Sequence, residues 1–273
     1  MRHFAVFGHP IAHSRSPRIH SLFAEQMGDD LEYRRQDVSP GTFTTAVREF
    51  FEAGGAGLNI TLPYKEEACQ LADWRSPGAE RARSANTLWR DEQGRLCADT
   101  TDGEGLCRDL QRQGMLFPGA RVLLLGAGGA AKAVIAPLLE SGIAALDLCN
   151  RTPQRALDIV SEMRELGPLQ RCLAGAEVAP YDLLINATSA SLQQALPAMP
   201  ALSTLRGSAC YDMMYAAADT PFIAWCKAQG ASSCSDGLGM LVEQAASSYQ
   251  RWWGRRPETL GVIETLRREM QAG

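Results

Sequence analysis

Short apolar runs alternate along this chain with segments whose apolar residues recur at helical spacing, the pattern of an α/β protein. Residues 4–7 read as a strand closed by Gly8 and Pro10. Ser16-Pro17 supplies an N-cap and a first-turn proline for a helix running to Met27. A second strand is predicted over 32–38, and Ser39-Pro40 opens a helix with Phe43, Val47, Phe50 and Phe51 on one stripe, stopped by Gly54-Gly55. Residues 57–60 form a third strand. Residues 85–90 and 96–98 flank Asp91-Glu92-Gln93-Gly94 as a hairpin.

The second half repeats the alternation. A helix over 102–113 is followed by a hinge at 114–119, which holds Pro118 between two glycines. Residues 121–125 carry three consecutive leucines without polar alternation, as suits a central parallel strand covered on both faces. Helices are expected at 130–141 and 153–164, strands at 145–149, 182–186 and 208–212, and closing helices at 238–252 and 257–270. Trp252-Trp253 reads as packing between domains.

Composition narrows the partners. With 273 residues the chain is long enough for two domains. Its 27 Lys and Arg against 31 Asp and Glu leave a net charge of −4, so no basic field exists for nucleic acid or an anionic membrane. Eight scattered cysteines form no C-x-x-C pair and read as small core residues in a reducing compartment. The N-terminal apolar stretch is too short for a signal peptide, and the longest uncharged run, 122–131, ends at Lys132. A cytoplasmic protein, monomer or homodimer, is expected. His9 and His13 are separated by Pro10 outside any predicted helix, so no metal site is assigned.

Gly126-Ala127-Gly128-Gly129-Ala130-Ala131 lies between a predicted strand and helix. Glycines let the backbone approach a pyrophosphate, and the helix N-terminus offers it free N–H groups; a tight turn without ligand is the plain alternative. An NAD site places an acid at the tip of the next strand, about 20 residues on. Here that tip reads Asn150-Arg151-Thr152, with Arg155 beyond. Arg151 and Thr152 can bond a 2′-phosphate, which points to NADP; Asp147, inside the strand, is the competing candidate for NAD.

Four features of the first half invite chemistry. Ser14 and Ser16 place two hydroxyls at a helix start, a receptor for a carboxylate, although Ser16 equally reads as a plain N-cap. Asn59 and Thr61 share one face of a strand that ends near Lys65, itself readable as a solvated surface charge. Asn86 is an amide in a β-like run, and Asp102 sits at a helix start where capping is the alternative.

Taken in order, these pieces resemble the shikimate dehydrogenase family. They are residues 9–17 (His-Pro-Ile-Ala-His-Ser-Arg-Ser-Pro), 59–65 (Asn-Ile-Thr-Leu-Pro-Tyr-Lys), Asn86-Thr87-Leu88 and Thr101-Asp102-Gly103. In the second half they are 126–130, 150–152, Asn186-Ala-Thr-Ser189, Tyr211-Asp-Met213 and 236–244. The resemblance implies an α/β substrate-binding and catalytic domain with a mainly parallel sheet over 1–101, and a doubly wound Rossmann domain for NADP(H) over 102–236. Helices in 237–273 would pack back on the first domain, with the active site in a cleft between the two. It implies reversible reduction of 3-dehydroshikimate to shikimate, in the route to chorismate and the aromatic amino acids.

By the same resemblance, Ser14 and Ser16 hold the substrate carboxylate with Tyr215. Asn59, Thr61, Asn86, Asp102 and Gln244 bond ring hydroxyls or shape their pocket. Gly126, Ala127, Gly128, Gly129, Ala130, Asn150, Arg151, Thr152, Arg155, Thr188, Met213, Gly237 and Met240 line the cofactor site, and Lys65 and Asp102 are the catalytic pair. The chemistry fits: hydride reaching the C3 carbonyl creates an alkoxide, and an ammonium within reach can stabilise it and give up a proton. Lys65 is expected to be the donor and Asp102 its orienting partner and a substrate ligand. The chain departs from the family where Arg83-Ser84-Ala85 replaces Gly-Ala-Val, Thr100 replaces Asn, and Ala190-Ser191-Leu192 lacks a glycine. A dehydrogenase for quinate or a related cyclohexene carboxylate, and a non-catalytic regulatory binder, are the alternatives.

Overall fold

The computed structural model describes residues 1–272 and divides into two compact units, Met1–Asp102 with Val242–Glu264, and Gly103–Leu241 with the chain from Thr265 onward. In the first unit the elements run β1 (Arg2–Gly8), α1 (Ser16–Met27), β2 (Leu31–Asp37), α2 (Phe43–Glu52), β3 (Gly57–Ile60), α3 (Lys65–Leu71), β4 (Trp74–Arg75), α4 (Pro77–Ala82), β5 (Thr87–Arg90) and β6 (Leu96–Asp99). They build one six-stranded sheet in the order β2-β1-β3-β5-β6-β4. The β1–β2, β1–β3 and β4–β6 pairs are parallel, whereas β3–β5 and β5–β6 are antiparallel. Phe7, Phe43, Val47, Leu58, Ile60 and Leu88 fill its core. The outer strand β2 carries charged, exposed side chains, which discourage pairing along its free edge.

The second unit contains α5 (Asp102–Arg112, starting at the junction), β7 (Arg121–Leu125), α6 (Gly129–Glu140), β8 (Ala145–Cys149), α7 (Pro153–Met163), β9 (Leu169–Cys172), β10 (Leu183–Asn186), β11 (Ala209–Asp212), α8 (Pro221–Ala228) and β12 (Ser233–Asp236). Its six strands are all parallel in the order β12-β11-β10-β7-β8-β9. Residues Leu123, Leu124 and Leu125 of β7 are fully buried. The chain runs from β7 outward to β9 and returns to β10 on β7's other side, so the carboxyl ends of β7 and β10 flank the point where strand order reverses. That is where an open parallel sheet binds ligands.

Two helices close the chain, α9 (Leu238–Trp253) and α10 (Leu260–Ala272). Tyr249 and Arg255 bond Asp29, and Glu258 N donates to Gln26 Oε1 at 2.9 Å, which ties 242–264 to α1. Residues 237–241 and those from 265 on group with the second unit, where the resemblance has all of 237–273 packing on the first. Arg267 is one reason: it makes a two-pronged ion pair with Asp236. Trp252 is also corrected. Its ring lies 4.7 Å from that of Phe4, tilted by 31°, and its indole N–H donates to Leu88 O at 3.3 Å, so it packs inside the first unit.

The helix expected from Ser39-Pro40 starts at Phe43, because Thr42 closes a turn onto Ser39 O and Gly41 takes φ +83°. The last helix starts at Leu260 rather than 257, since Thr259 Oγ1 donates instead to Glu243 Oε1 at 2.6 Å. Elements absent from the pattern are short or marginal: α3, α4, α8, and β4, β9 and β12, each β strand at the edge of its sheet. Seven of the eight cysteines are buried thiols, and burial pushes Cys107 and Cys149 up to about 12. They are core residues with little thiolate to react.

Candidate functional site

The loops after β3 and before β5 and α5 converge in the first unit. Ile60 N donates to Asn86 O at 2.9 Å, Ala85 N to Lys65 O at 2.8 Å, and Asn86 N to Asp99 O at 3.1 Å. This backbone knot brings Lys65 Nζ to 2.6 Å from Asp102 Oδ2, while Asp102 Oδ1 accepts from Asn86 Nδ2 at 3.0 Å. The lysine side chain is 26% exposed and the aspartate 10%. Lys65 therefore opens α3 as one half of a partly buried ion pair, not as a solvated surface charge. The carboxylate of Asp102 is engaged by Lys65 and Asn86.

Asn86 is itself held on all sides. Its Oδ1 accepts from Thr101 N at 2.9 Å and Thr87 Oγ1 at 3.0 Å, and its Nδ2 also reaches Gln244 Oε1 at 3.1 Å. Gln244 arrives from α9, more than 150 residues downstream in the chain. Asn59 is likewise held by protein partners. Both Nδ2 hydrogens have acceptors in the protein, Asn86 O at 3.0 Å and Ser248 Oγ at 2.9 Å, and Oδ1 accepts from Tyr33 at 2.7 Å. Asn59 is thus hydrogen-bonded within the protein through both its amide nitrogen and its oxygen. Ser248 also bonds Thr87 Oγ1 at 2.7 Å, making a buried hydroxyl–amide cluster with Thr101.

Ser16 is the first residue of α1; the N-cap position belongs to Arg15, and side-chain capping is absent there. The plain N-cap reading of Ser16 is therefore overturned. Ser14 Oγ donates to Ser16 Oγ at 3.2 Å and accepts from Ser16 N at 3.3 Å, so the two hydroxyls face one another. Arg35 Nε fixes the turn through Ser14 O at 2.7 Å. Thr61, half-buried, directly follows β3. Tyr215 lies in the second unit, half-buried in the loop after β11.

The glycine turn in the second unit sits between β7 and α6, at the point of strand reversal. Gly126 adopts φ +116°, and a Cβ there would meet Thr188 Cγ2 at 3.0 Å, so only glycine allows the turn to pass. A Cβ at Gly128 or Gly129 would meet open space. The helix opens on Gly129 and Ala130 without a capping side chain or an acid in its first turn, which leaves N–H groups and positive dipole directed at that space. Beyond β8, Arg151, Thr152 and Arg155 are exposed, and Asn150 Nδ2 donates to Thr152 O at 2.9 Å, ordering the loop. Asp147 is buried and spent on Tyr181 OH at 2.5 Å and Gln170 Nε2 at 2.7 Å. No carboxylate of β8 is thus offered to a ribose, and the residues present fit a 2′-phosphorylated dinucleotide.

Two acids to which the sequence assigns no role organise this unit. Asp212, fully buried, accepts from Asn186 Nδ2, Ser191 Oγ, Thr220 Oγ1 and Met214 N. Burial raises its carboxyl above the ordinary range, and those four donors counter the shift. Asn186 Oδ1 in turn holds Thr188 through its N–H and hydroxyl, at 3.0 and 2.7 Å. The departure at Ser191 acquires a function here, as one of the Asp212 donors. Asp236 accepts from Leu238 N at 3.2 Å and Ala216 N at 3.3 Å and is clamped by Arg267. Gly237 is required beside it: a Cβ there would lie 2.2 Å from Met213 O. Met240, buried, follows on α9 with its N–H on Tyr211 OH at 3.3 Å. The resemblance places Asp212 and Asp236 inside its motif pieces but assigns neither a role, because the partners that reveal one lie elsewhere in the sequence.

Three family models match this chain: the shikimate dehydrogenase substrate binding domain over residues 6–88, shikimate/quinate 5-dehydrogenase over 110–197, and the shikimate 5′-dehydrogenase C-terminal domain over 237–267. The NADP(+) shikimate dehydrogenase of Methylococcus capsulatus is 49% identical over 271 residues, covering 97% of this chain and 96% of the relative. Among solved structures, an Ael1 enzyme from Pseudomonas putida superposes with a TM-score of 0.92 at 41% identity, covering 97% and 98% of the two chains. The Thermus thermophilus shikimate 5-dehydrogenase, solved with NADP(H) and shikimate, superposes with a TM-score of 0.86 at 34% identity over 98% of this chain and 99% of that one. Matched along nearly its whole length by relatives of one kind, with the family's motifs gathered at the ends of its strands, this chain belongs to the shikimate dehydrogenase family.

Proposed function

We propose that this protein catalyses the reversible NADP-dependent reduction of 3-dehydroshikimate to shikimate, with Lys65 and Asp102 as its acid–base pair. The first unit receives the substrate and the second the cofactor. The observation that carries the reading is the 2.6 Å contact of Lys65 Nζ with a carboxylate locked from its other side by Asn86. When bound, the reduced cofactor supplies the two electrons that convert the ring ketone to an alcohol. The pyrophosphate would rest on the 126–130 turn and the N-terminus of α6, and the 2′-phosphate on Arg151, Thr152 and Arg155.

The protein's own work is then proton handling and orientation. As negative charge grows on the C3 oxygen, Lys65 Nζ stabilises it and donates the proton; in the reverse direction the same amine takes it back. Asp102 holds the lysine and, on the C3 side, accepts from a substrate hydroxyl. Asn86 and Gln244 fix Asp102 and present polar atoms to the ring. Ser14 and Ser16 give two hydroxyl donors to the carboxylate. Because these groups are ordered before substrate arrives, little reorganisation opposes the reaction.

Reduction of NADP(+) or NAD(+) followed by nicotinamide absorbance, with shikimate and quinate as substrates, tests the reading. The expected result is the highest kcat/KM for shikimate with NADP(+). A preference for quinate or for NAD(+) would replace the substrate or cofactor assignment, and tight binding of both ligands without turnover would show a regulatory binder.

A further inference from the structure

Asp109 lies on the buried face of α5 with Leu106 and Leu110 and is fully enclosed, a costly place for a carboxylate. Arg112 pairs with its Oδ1, and Gln113 Nε2 donates to Oδ2 at 2.9 Å, both from the next turn of chain. The third partner is remote. Tyr211 OH, 102 positions on in β11, donates to Oδ2 at 2.7 Å.

Tyr211 is fully buried as well and has a second bond, from Met240 N at 3.3 Å. A carboxylate only accepts and a backbone N–H only donates, so the one phenol hydrogen goes to Asp109 and the phenol oxygen receives Met240. Met240 is the third residue of α9, and its N–H is one that the helix itself leaves without a partner. Leu238 N is taken by Asp236 Oδ1 at 3.2 Å and Leu241 N by Gly237 O at 2.9 Å. Tyr211 therefore caps α9 from a neighbouring strand, and Asp109 holds the cap. Gly239 completes the fit, because a Cβ there would run into the Asp109 carboxylate.

The strand order of this unit runs β11-β10-β7-β8 through its middle. With the 2′-phosphate at the tip of β8 and the pyrophosphate at the turn after β7, the nicotinamide end of a dinucleotide falls on the other side, beyond β10. The start of α9 is fastened there, since Gly237 N donates to Met214 O at 3.0 Å in the loop after β11. Met240 and Met213 join one apolar cluster with Ala127 of the glycine turn. We infer that Asp109 and Tyr211 are positioning residues for the nicotinamide end of the cofactor, setting Gly237 and Met240 through the start of α9. The inference rests on the proposed cofactor reading of 126–130, 237 and 240. Both residues are sealed from solvent, so they act through the helix and not by touching the cofactor.

Tyr211→Phe deletes the hydroxyl, keeps the ring and strands the Met240 N–H. Calorimetry should show NADPH binding weakened about three- to tenfold, the scale of one buried hydrogen bond. Adenosine 2′,5′-diphosphate, which carries the 2′-phosphate end and no nicotinamide, should bind within about twofold of the parent, because its site is remote from the change. A general loss of structure in this unit would weaken both ligands alike. Gly239→Ala pushes on the same carboxylate from α9 and should give the same selective loss, which decides the matter if Tyr211→Phe does not fold in thermal melts. Combined, the two changes should cost less than the product of their separate effects, because they break one contact. Met240→Ala is the control for the cofactor reading and should weaken NADPH but not the diphosphate. If it leaves NADPH binding unchanged, the nicotinamide end is misplaced. If Met240→Ala weakens NADPH while Tyr211→Phe and Gly239→Ala do not, or if those two weaken both ligands equally, the positioning role is overturned.

Discussion

Replacing Lys65 with alanine separates chemistry from stability in a way the structure makes quantitative. The change removes the ammonium 2.6 Å from Asp102 and leaves that carboxylate, 10% exposed, bonded to Asn86 Nδ2 at 3.0 Å. Breaking a fully buried pair costs ~3–5 kcal/mol and an exposed one ~0–1 kcal/mol. With the lysine a quarter exposed, water can reach the stranded carboxylate, and a cost of about 1–2 kcal/mol is expected. That lowers the melting temperature by about 2–8 °C for a chain of this size. A domain of ordinary stability, ~5–15 kcal/mol, stays about 99% folded or better after such a loss. Unfolding therefore cannot explain a large rate defect. Loss of a proton donor should cut kcat by about 10²-fold or more, with a much smaller change in the KM for shikimate. Stopped-time and steady-state assays of nicotinamide absorbance, alongside thermal melts, measure both quantities. Turnover retained within about tenfold in a protein that melts a few degrees lower would refute the assignment of Lys65 as proton donor.

Other outcomes follow from the same geometry. Arg151→Ala should raise the KM for NADP(+) by about 10- to 100-fold, the scale of one charge-assisted phosphate contact, while the KM for NAD(+) moves little; equal effects on both cofactors would count against a 2′-phosphate contact. Gly237→Ala places a Cβ 2.2 Å from Met213 O and should cost about 1–3 kcal/mol in urea unfolding; unchanged stability would mean the 213–237 approach relaxes freely. His20 supplies a pH test: burial drives its folded pKa down to about 3, below its unfolded value of about 6.5. The folded form thus binds fewer protons, and its contribution is complete above pH ~6.5 and lost as pH falls toward the folded value, at up to ~1.4 kcal/mol per pH unit. His20→Leu should flatten the stability profile between pH ~6.5 and ~4, read by urea unfolding at successive pH values; an unchanged slope would locate acid sensitivity elsewhere.

Several parts of the molecule were legible because they are local. The leucines of β7 announce a central strand, Pro17 opens α1, and the glycine turn precedes a helix that needs no side-chain cap. The motif residues named from the chain alone include Lys65, Asn86, Asp102 and Gln244, which the fold gathers into one hydrogen-bonded group. Period and turn chemistry are properties of neighbouring residues, so they survive in one dimension.

What remained hidden depends on contacts distant in sequence. β12, with its alternate Ser-Cys-Ser-Asp letters, becomes a strand because β11 offers it a ladder, and β9 because β8 does. Asp212 is a bare acid in an apolar run until Ser191, Thr220 and Asn186 converge on it. The motif leaves Asn59 either bonding ring hydroxyls or shaping their pocket, and the fold commits both its hydrogens to Asn86 O and Ser248, the latter 189 positions away. By itself, then, the sequence determined the α/β class, the strand-to-helix turn that suits phosphate, and the residues able to move a proton. Tertiary structure alone decided which polar atoms face the pocket and which are consumed in holding it, because every buried donor must find an acceptor and that choice is made only when remote segments meet.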